Sequence, residues 1–229
     1  MWRSMEMSIY EIWNEVDLYM NDKLIQPDPV LDEVLKANQE AELPAIDVSP
    51  NQGKFLHLLA SLKGAKRILE IGTLGGYSTI WLARALPKDG QLITLELSAQ
   101  HAEVARANLK RAGVSHLVEV IVGPGLDTLA VLKDKGTEPF DLIFIDADKP
   151  NNPNYLKWAL ELSKRGSTII CDNVVRQGHV VNSESEDENV KGIRQFMNAL
   201  AQEKRISATA IQTVGSKGYD GFIVGVVER

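Results

Sequence analysis

The chain has 229 residues, of which 44% are hydrophobic and 24% charged, an ordinary globular balance that leaves little room for extended disorder. Its 25 basic against 31 acidic side chains give a formal charge of −6, which argues against a duplex-DNA binder with a basic face. The longest apolar runs, such as Gly221–Val227, fall far short of the roughly 20 residues that a bilayer span needs.

No basic start followed by an apolar stretch occurs in Met1–Tyr10, so no secretory leader is expected. The lone Cys171 cannot close an internal disulfide; it fits a reducing cytoplasm and a buried strand position. A chain of this size with α/β alternation is expected to form a single domain over 1–229, with N-terminal helices over 1–63 and a core over 64–229.

In Ile9–Ile25, the residues Ile9, Ile12, Trp13, Val16, Tyr19 and Met20 draw one apolar stripe down a helix. Pro27 and Pro29 end it, and Val30–Gln39 restarts a short helix with Val30, Leu31, Val34 and Leu35 inward. Ser49 before Pro50 supplies a hydroxyl cap and a proline at the first helical position, opening a helix that runs to Gly64. From Arg67 the rhythm changes to short apolar runs at Arg67–Gly72, Gln91–Glu96, Val118–Gly123, Asp141–Asp146 and Thr168–Asp172. Between them lie helical spacers at Ser78–Leu86, Gln100–Ala112, Leu126–Lys135 and Tyr155–Lys164. This alternation predicts an α/β doubly wound parallel sheet with helices on both faces. At the end, Ile206–Val214 and Gly221–Val227 are joined too briefly for a parallel crossover and must form an antiparallel hairpin. Ser183–Glu188 reads as a solvated acidic loop.

Glu70-Ile71-Gly72-Thr73-Leu74-Gly75-Gly76-Tyr77-Ser78 joins the first strand to the next helix, where glycines let the backbone turn tightly and approach a ligand. The G-x-G-x-x-G fingerprint that seats a pyrophosphate is absent, because Leu occupies position 74. Glu70 suits a cationic ligand instead. Glu96 ends the second strand, where a carboxylate can accept from both ribose hydroxyls, a property shared by several adenosine ligands. At the ends of the fourth and fifth strands stand Asp146-Ala147-Asp148-Lys149 and Asp172-Asn173. Neighbouring strand ends would bring Asp146, Asp172 and Asn173 together as three hard oxygen donors, suited to Mg²⁺, Mn²⁺ or Ca²⁺; the same residues also serve as strand-end caps and turn formers.

The combination of E-x-G-x-x-x-G, an acidic second strand end and the terminal hairpin resembles the class I S-adenosylmethionine (SAM) methyltransferases, a Rossmann-like fold. The resemblance implies a seven-stranded sheet of order 3-2-1-4-5-7-6. It also implies that the loop Gly72–Ser78, with Thr73, Gly76 and Tyr77, cradles the methionine part beside Glu70. Glu96 would hold the ribose, Gly125 would lie beside the adenine, and Val48 would close over the cofactor. The run FIDADK followed by CDN resembles the cation-dependent O-methyltransferases, the caffeoyl-coenzyme A and catechol group. Carried over by position, Asp146, Asp172 and Asn173 are metal ligands, Asp146 and Asp148 contact SAM, and Lys149 is the general base, with Asp146 completing the catalytic pair. Such a transfer is an in-line displacement that needs a well-placed oxyanion, and a chelated cation lowers the acceptor's pKa and the lysine's alike.

The acceptor side departs from the plant members of the group. Lys149-Pro150-Asn151-Asn152-Pro153 stands where they carry an aromatic, and Gln177 occupies the position of a substrate-contacting amide. The implied acceptor is a small phenolic with two adjacent oxygens, such as a catechol, caffeate or flavonoid. His57, His101 and His116 show no ligand spacing, whereas His179 lies in a stretch that could cover the acceptor. A homodimer is implied, with Trp13 and Tyr19 at the interface or in the core. Two alternatives share the pattern: methylation of a hydroxyuridine in transfer RNA, and a non-catalytic SAM- or nucleotide-binding protein. Lys110-Arg111 and Lys164-Arg165 are only short basic pairs, so nucleic acid is disfavoured, and an intact Asp146, Lys149, Asp172 and Asn173 set disfavours an inert binder.

Overall fold

A computed structural model describes residues 7–229. Most of Met1–Tyr10, the stretch read for a leader, lies outside the described residues. Seven strands form one sheet of order β3-β2-β1-β4-β5-β7-β6. They are β1 (Arg67–Ile71), β2 (Gln91–Glu96), β3 (Val118–Val122), β4 (Phe140–Ile145), β5 (Ser163–Asp172), β6 (Ile206–Gly215) and β7 (Gly218–Val227). The first five pair in parallel and β7 runs antiparallel to both β5 and β6, as the short final connection requires.

Strand alternation sends the apolar side chains to two cores. Ile68, Leu142, Phe144 and Ile170 face one layer, while Leu69, Ile143, Ile145 and Ile169 face the other. The first layer is built from α2 (Pro29–Glu40), α3 (Pro50–Lys63), α4 (Tyr77–Ala83) and α5 (Ala99–Arg111). The second comprises α6 (Gly125–Asp134), α7 (Asn152–Glu161) and α8 (Glu188–Gln202). Burial on both faces explains why β4 reads as an unbroken apolar run from Leu142 to Ile145.

Capping follows the side chains. The hydroxyl of Ser49 accepts from Gln52 N to open α3, Pro50 occupies its first turn, and Gly64 closes it in the left-handed conformation. Asp28, Ser98 and Asp187 cap α2, α5 and α8 in the same way.

Three expectations are corrected. The helix expected to reach Lys164 ends at Glu161, and β5 begins at Ser163, because residues 164–167 form an irregular extension tied by the Ser167 hydroxyl to Phe140 O and Lys164 N. The acidic stretch is a loop only to Asp187; Glu188 opens α8, an element not expected, although Val190, Ile193, Phe196 and Leu200 recur at helical spacing. The apolar stripe of α1 (Ile9–Leu24) does not face the core. Ile9, Ile12, Val16, Tyr19 and Met20 are exposed, Trp13 is half-buried, and Asp17 alone is buried. Asp17 is drawn inward because its carboxylate accepts from Ser216 N at 2.7 Å and from Asn51 Nδ2 at 3.2 Å, pinning α1 to the β6–β7 turn and to α3.

Candidate active site

At the carboxyl ends of the parallel strands lies a cavity of about 710 Å³. It opens where the connections from β1, β2 and β3 leave on one side and those from β4 and β5 on the other, the crevice in which ligands of doubly wound sheets bind. Gly72 forms its floor with φ +101°, and a Cβ there would overlap the carbonyl of Asp146. Only glycine lets β1 and β4 end so close together.

Glu96 organises one end. Its Oε2 accepts from Thr73 N and Leu74 N at 3.3 and 2.8 Å, and its Oε1 accepts from Ser98 N at 2.9 Å. The carboxylate is thereby fixed at the cavity wall. Val48, Gly72, Thr73, Ser78 and Gly125 also line the cavity. His101 Nδ1 lies 3.4 Å from Glu96 Oε1 and also lines it, a contact that sequence spacing did not reveal.

Glu70, Gly76 and Tyr77 are placed differently from the expectation. None lines the cavity. Glu70 is fully enclosed beneath the glycine loop, accepting from the hydroxyls of Ser78, Thr79 and Thr94 at 2.7, 2.5 and 2.7 Å. Burial pushes its carboxyl up to about 7 against the pull of those three donors. Gly76 caps α4 with φ +84°, and Tyr77 packs into the core with Ile80 and Trp81. These three residues shape the loop from behind.

The opposite end carries the acidic cluster. Ile145 pairs with Cys171 across β4 and β5, so the residues that follow them, Asp146 and Asp172, leave adjacent strands side by side. Lys149 follows on a 3-10 turn and is buried, its Nζ donating to Asp146 Oδ1 at 2.9 Å. Gly192 of α8 packs against the Lys149 carbonyl with no room for a Cβ, which holds that turn over the strand ends. Burial disfavours the ammonium, but Asp146 and Asp172 more than offset this and raise the Lys149 pKa above its ordinary value. Asp148 lines the cavity and accepts from Tyr155 Oη at 2.5 Å and Asn151 Nδ2 at 2.6 Å.

Asp172 is held on both oxygens, Oδ1 accepting from Asn173 N at 2.8 Å and Oδ2 from Gln52 Nε2 at 2.5 Å. Burial and the repulsion of Asp146 push its carboxyl up to about 7. The buried Asp172 and the half-buried Asp146 repel one another and, with the Asn173 amide beside them, form a hard oxygen set with surplus negative charge. That chemistry fits a hard divalent cation. Among the described residues, no group of three or more His, Cys, Asp or Glu stands at metal-holding distance, so the set depends on the amide of Asn173. Cys171 is buried, accepts from Asn152 Nδ2, and burial pushes its thiol up to about 12, which leaves it unreactive.

A family model described as O-methyltransferase matches residues 22–221. The chain belongs to this O-methyltransferase family. It is 51% identical over 213 residues to a catechol O-methyltransferase of Mycobacterium tuberculosis, spanning 93% of this chain and 95% of that one. The crystal structure of an O-methyltransferase from Bacillus cereus in complex with S-adenosylhomocysteine (SAH) superposes with a TM-score of 0.95 at 57% identity, covering 96% of this chain and 100% of the other. An O-methyltransferase of Streptomyces achromogenes involved in tomaymycin synthesis, solved with SAM, gives 0.94 at 50% identity, covering 97% and 100%.

Within this O-methyltransferase framework, further residues in or behind the cavity wall escaped the motifs. Gln52 reaches Asp172 from 120 residues away in sequence. Asn189 arrives from the start of α8. Arg176 lines the acidic end, whereas Gln177, the expected amide contact, is exposed, as is His179. The left-handed backbone at Arg176 and Gln177 exchanges which side chain points inward.

Proposed function

We propose that the chain transfers the methyl group of SAM to one oxygen of a vicinal-diol phenolic, with a divalent cation held by Asp146, Asp172 and Asn173. The observation that carries this reading is one continuous cavity with a fixed carboxylate, Glu96, at one end and the Asp146, Lys149 and Asn173 cluster at the other. Glu96 would accept from the ribose hydroxyls of SAM, while the loop at Gly72–Leu74 and the segment at Val48 enclose the methionine part. Asp148, braced by Tyr155 and Asn151, would face the cofactor from the strand-four side.

Asp146, Asp172 and Asn173 would hold the cation, which would supply Lewis-acid chemistry that lowers the acceptor's pKa and offsets the carboxylates that otherwise hold Lys149 protonated. Lys149 Nζ then takes the proton of the attacking hydroxyl. The oxygen forms its bond to the methyl carbon as the sulfonium–carbon bond breaks, leaving a methyl ether and SAH. Burial of Lys149 limits the access of water to its Nζ.

Mass-spectrometric detection of methyl transfer from SAM tests the reading on a panel of catechols and mono-phenols, with Mg²⁺ or with EDTA. Methylation confined to vicinal diols and abolished by EDTA is the expected result. Turnover unaffected by EDTA would remove the metal role of Asp146, Asp172 and Asn173.

The exposed face of α1 supports a homodimer. Tyr10, Leu18, Tyr19 and Leu24 stand open beside β6, an edge strand exposed along most of its length. Apolar side chains clustered beside an unpaired edge mark an interaction surface, and a second copy of the chain would cover both. Sedimentation equilibrium at micromolar concentration should give a dimer that dissociates in a Leu18→Glu, Tyr19→Glu variant. A monomeric wild type would rule this out.

A further inference from the structure

We propose that Arg176 forms an anion subsite at the acceptor end of the cavity, so that the preferred acceptor is a vicinal diol bearing a carboxylate or a similar acidic group. This rests on the vicinal-diol reading above and narrows it.

The backbone is wound to deliver this side chain. Asn173, Arg176 and Gln177 all adopt positive φ, at 56°, 53° and 55°, followed by Gly178 at 86°. Non-glycine residues take this conformation at a cost and hold it only where their surroundings dictate it. Here Asp220 Oδ1 accepts from Val175 N at 2.9 Å and Arg176 N at 3.1 Å, clamping the segment to the β6–β7 hairpin. The winding brings Arg176 to the cavity wall and leaves Gln177 in solvent.

Once there, Arg176 lacks a partner for its Nε, which is buried without any hydrogen bond. Buried guanidinium nitrogens are normally satisfied, and an unpaired one calls for an explanation. Asp187 is one carboxylate that feels the charge of Arg176, yet its Oδ1 already accepts from Asn189 N at 2.8 Å and Asn189 Nδ2 at 3.0 Å as the cap of α8, and Asp220 Oδ1 is taken by the backbone N–H groups of Val175, Arg176 and Gly221. Lys149, the other cation at this end, is engaged by Asp146. The remaining polar walls are the amides of Asn151, Asn173 and Asn189 and the carboxylates of Asp146 and Asp148, the first engaged by Lys149 and the second by Tyr155 and Asn151. Among the described residues the terminal guanidinium nitrogens of Arg176 also form no ion pair, and a carboxylate on the acceptor would pair with them from the cavity, its two oxygens matching the planar fork.

The test compares 3,4-dihydroxybenzoate with the uncharged 3,4-dihydroxybenzamide as acceptors for wild type, Arg176→Gln and Arg176→Lys, with SAM and Mg²⁺. In wild type the acid should exceed the amide in kcat/KM by about tenfold or more, chiefly through KM. That ratio should fall toward one in Arg176→Gln and be kept in part by Arg176→Lys. Taking the ratio across variants cancels the different intrinsic acidities of the two diols. Equal kcat/KM for acid and amide in wild type, or a preference that survives Arg176→Gln, overturns the subsite. Calorimetric titration of the SAH-loaded protein with the same two diols reads the subsite without turnover. Acid binding that is lost in Arg176→Gln, with no diol methylated, would sink the methyl-transfer reading and leave the subsite standing. Failure of the acid to bind wild type more tightly than the amide would overturn the subsite directly.

Discussion

Lys149→Ala is expected to lower kcat by about 10²- to 10⁴-fold, the usual contribution of a positioned general base, while SAM still binds. The expectation follows from the position of Nζ, which is buried at the cavity wall among the carboxylates of strands β4 and β5. Lys149→Arg separates two roles that alanine cannot. Arginine keeps the positive charge beside Asp146 and Asp172 but does not give up its proton at any working pH. If Lys149 moves a proton, the arginine variant is as slow as the alanine variant even though it retains the ion pair. If the residue merely neutralises the two aspartates, arginine restores most of the rate. Stopped-time assays with SAM and a catechol, alongside SAM titration of each variant, distinguish the outcomes; turnover by Lys149→Arg close to wild type would overturn the base assignment.

The second large effect concerns stability. Glu70 is enclosed beneath the glycine loop, with its carboxyl raised from the usual 4.5 to about 7 by burial. Below pH 4.5 the group is protonated in both folded and unfolded chains and contributes no penalty. Between 4.5 and 7 the unfolded chain ionises first, so the folded state loses ground as pH rises. Above 7 both ionise, and the full cost remains, about 3 kcal/mol at 1.36 kcal/mol per pH unit. Glu70→Gln keeps the shape and an oxygen acceptor for the Thr79 and Thr94 hydroxyls, turns its amide N–H toward the Ser78 hydroxyl oxygen, and cannot ionise. Urea unfolding of wild type and Glu70→Gln at pH 5 and pH 8, without SAM or metal, should therefore show the variant gaining about 3 kcal/mol relative to wild type at the higher pH. A difference that does not change with pH would show that Glu70 ionises as easily inside the protein as outside it.

Glu70 also illustrates the limit of reading a motif from residue order. Its place before the glycine loop suggested a partner for a cationic cofactor, but its side chain points under the loop and ties β1 to β2 and α4 through three hydroxyls. Glu96 was legible because it ends a strand, where a side chain has only the crevice ahead of it. Asp146 and Asn173 line the same crevice while Asp172 is buried beside them, and the pairing of Ile145 with Cys171 explains why two strand ends far apart in sequence become one cluster.

The sequence by itself determined the alternation of strands and helices, the antiparallel close, the cavity at the carboxyl ends and the identity of the residues that lead out of β1, β2, β4 and β5. Each of these is set by local periodicity, by glycine and proline placement, or by the length of a connection, all of which act over a few residues. Only the tertiary structure decided that the apolar stripe of α1 faces outward, that Gln52 rather than solvent meets Asp172, and that Arg176 rather than Gln177 enters the cavity. A periodic stripe states that a face is apolar and says nothing of what covers it. Contacts across a hundred residues or a reversed backbone dihedral arise only once distant elements close on one another, and no local pattern encodes them.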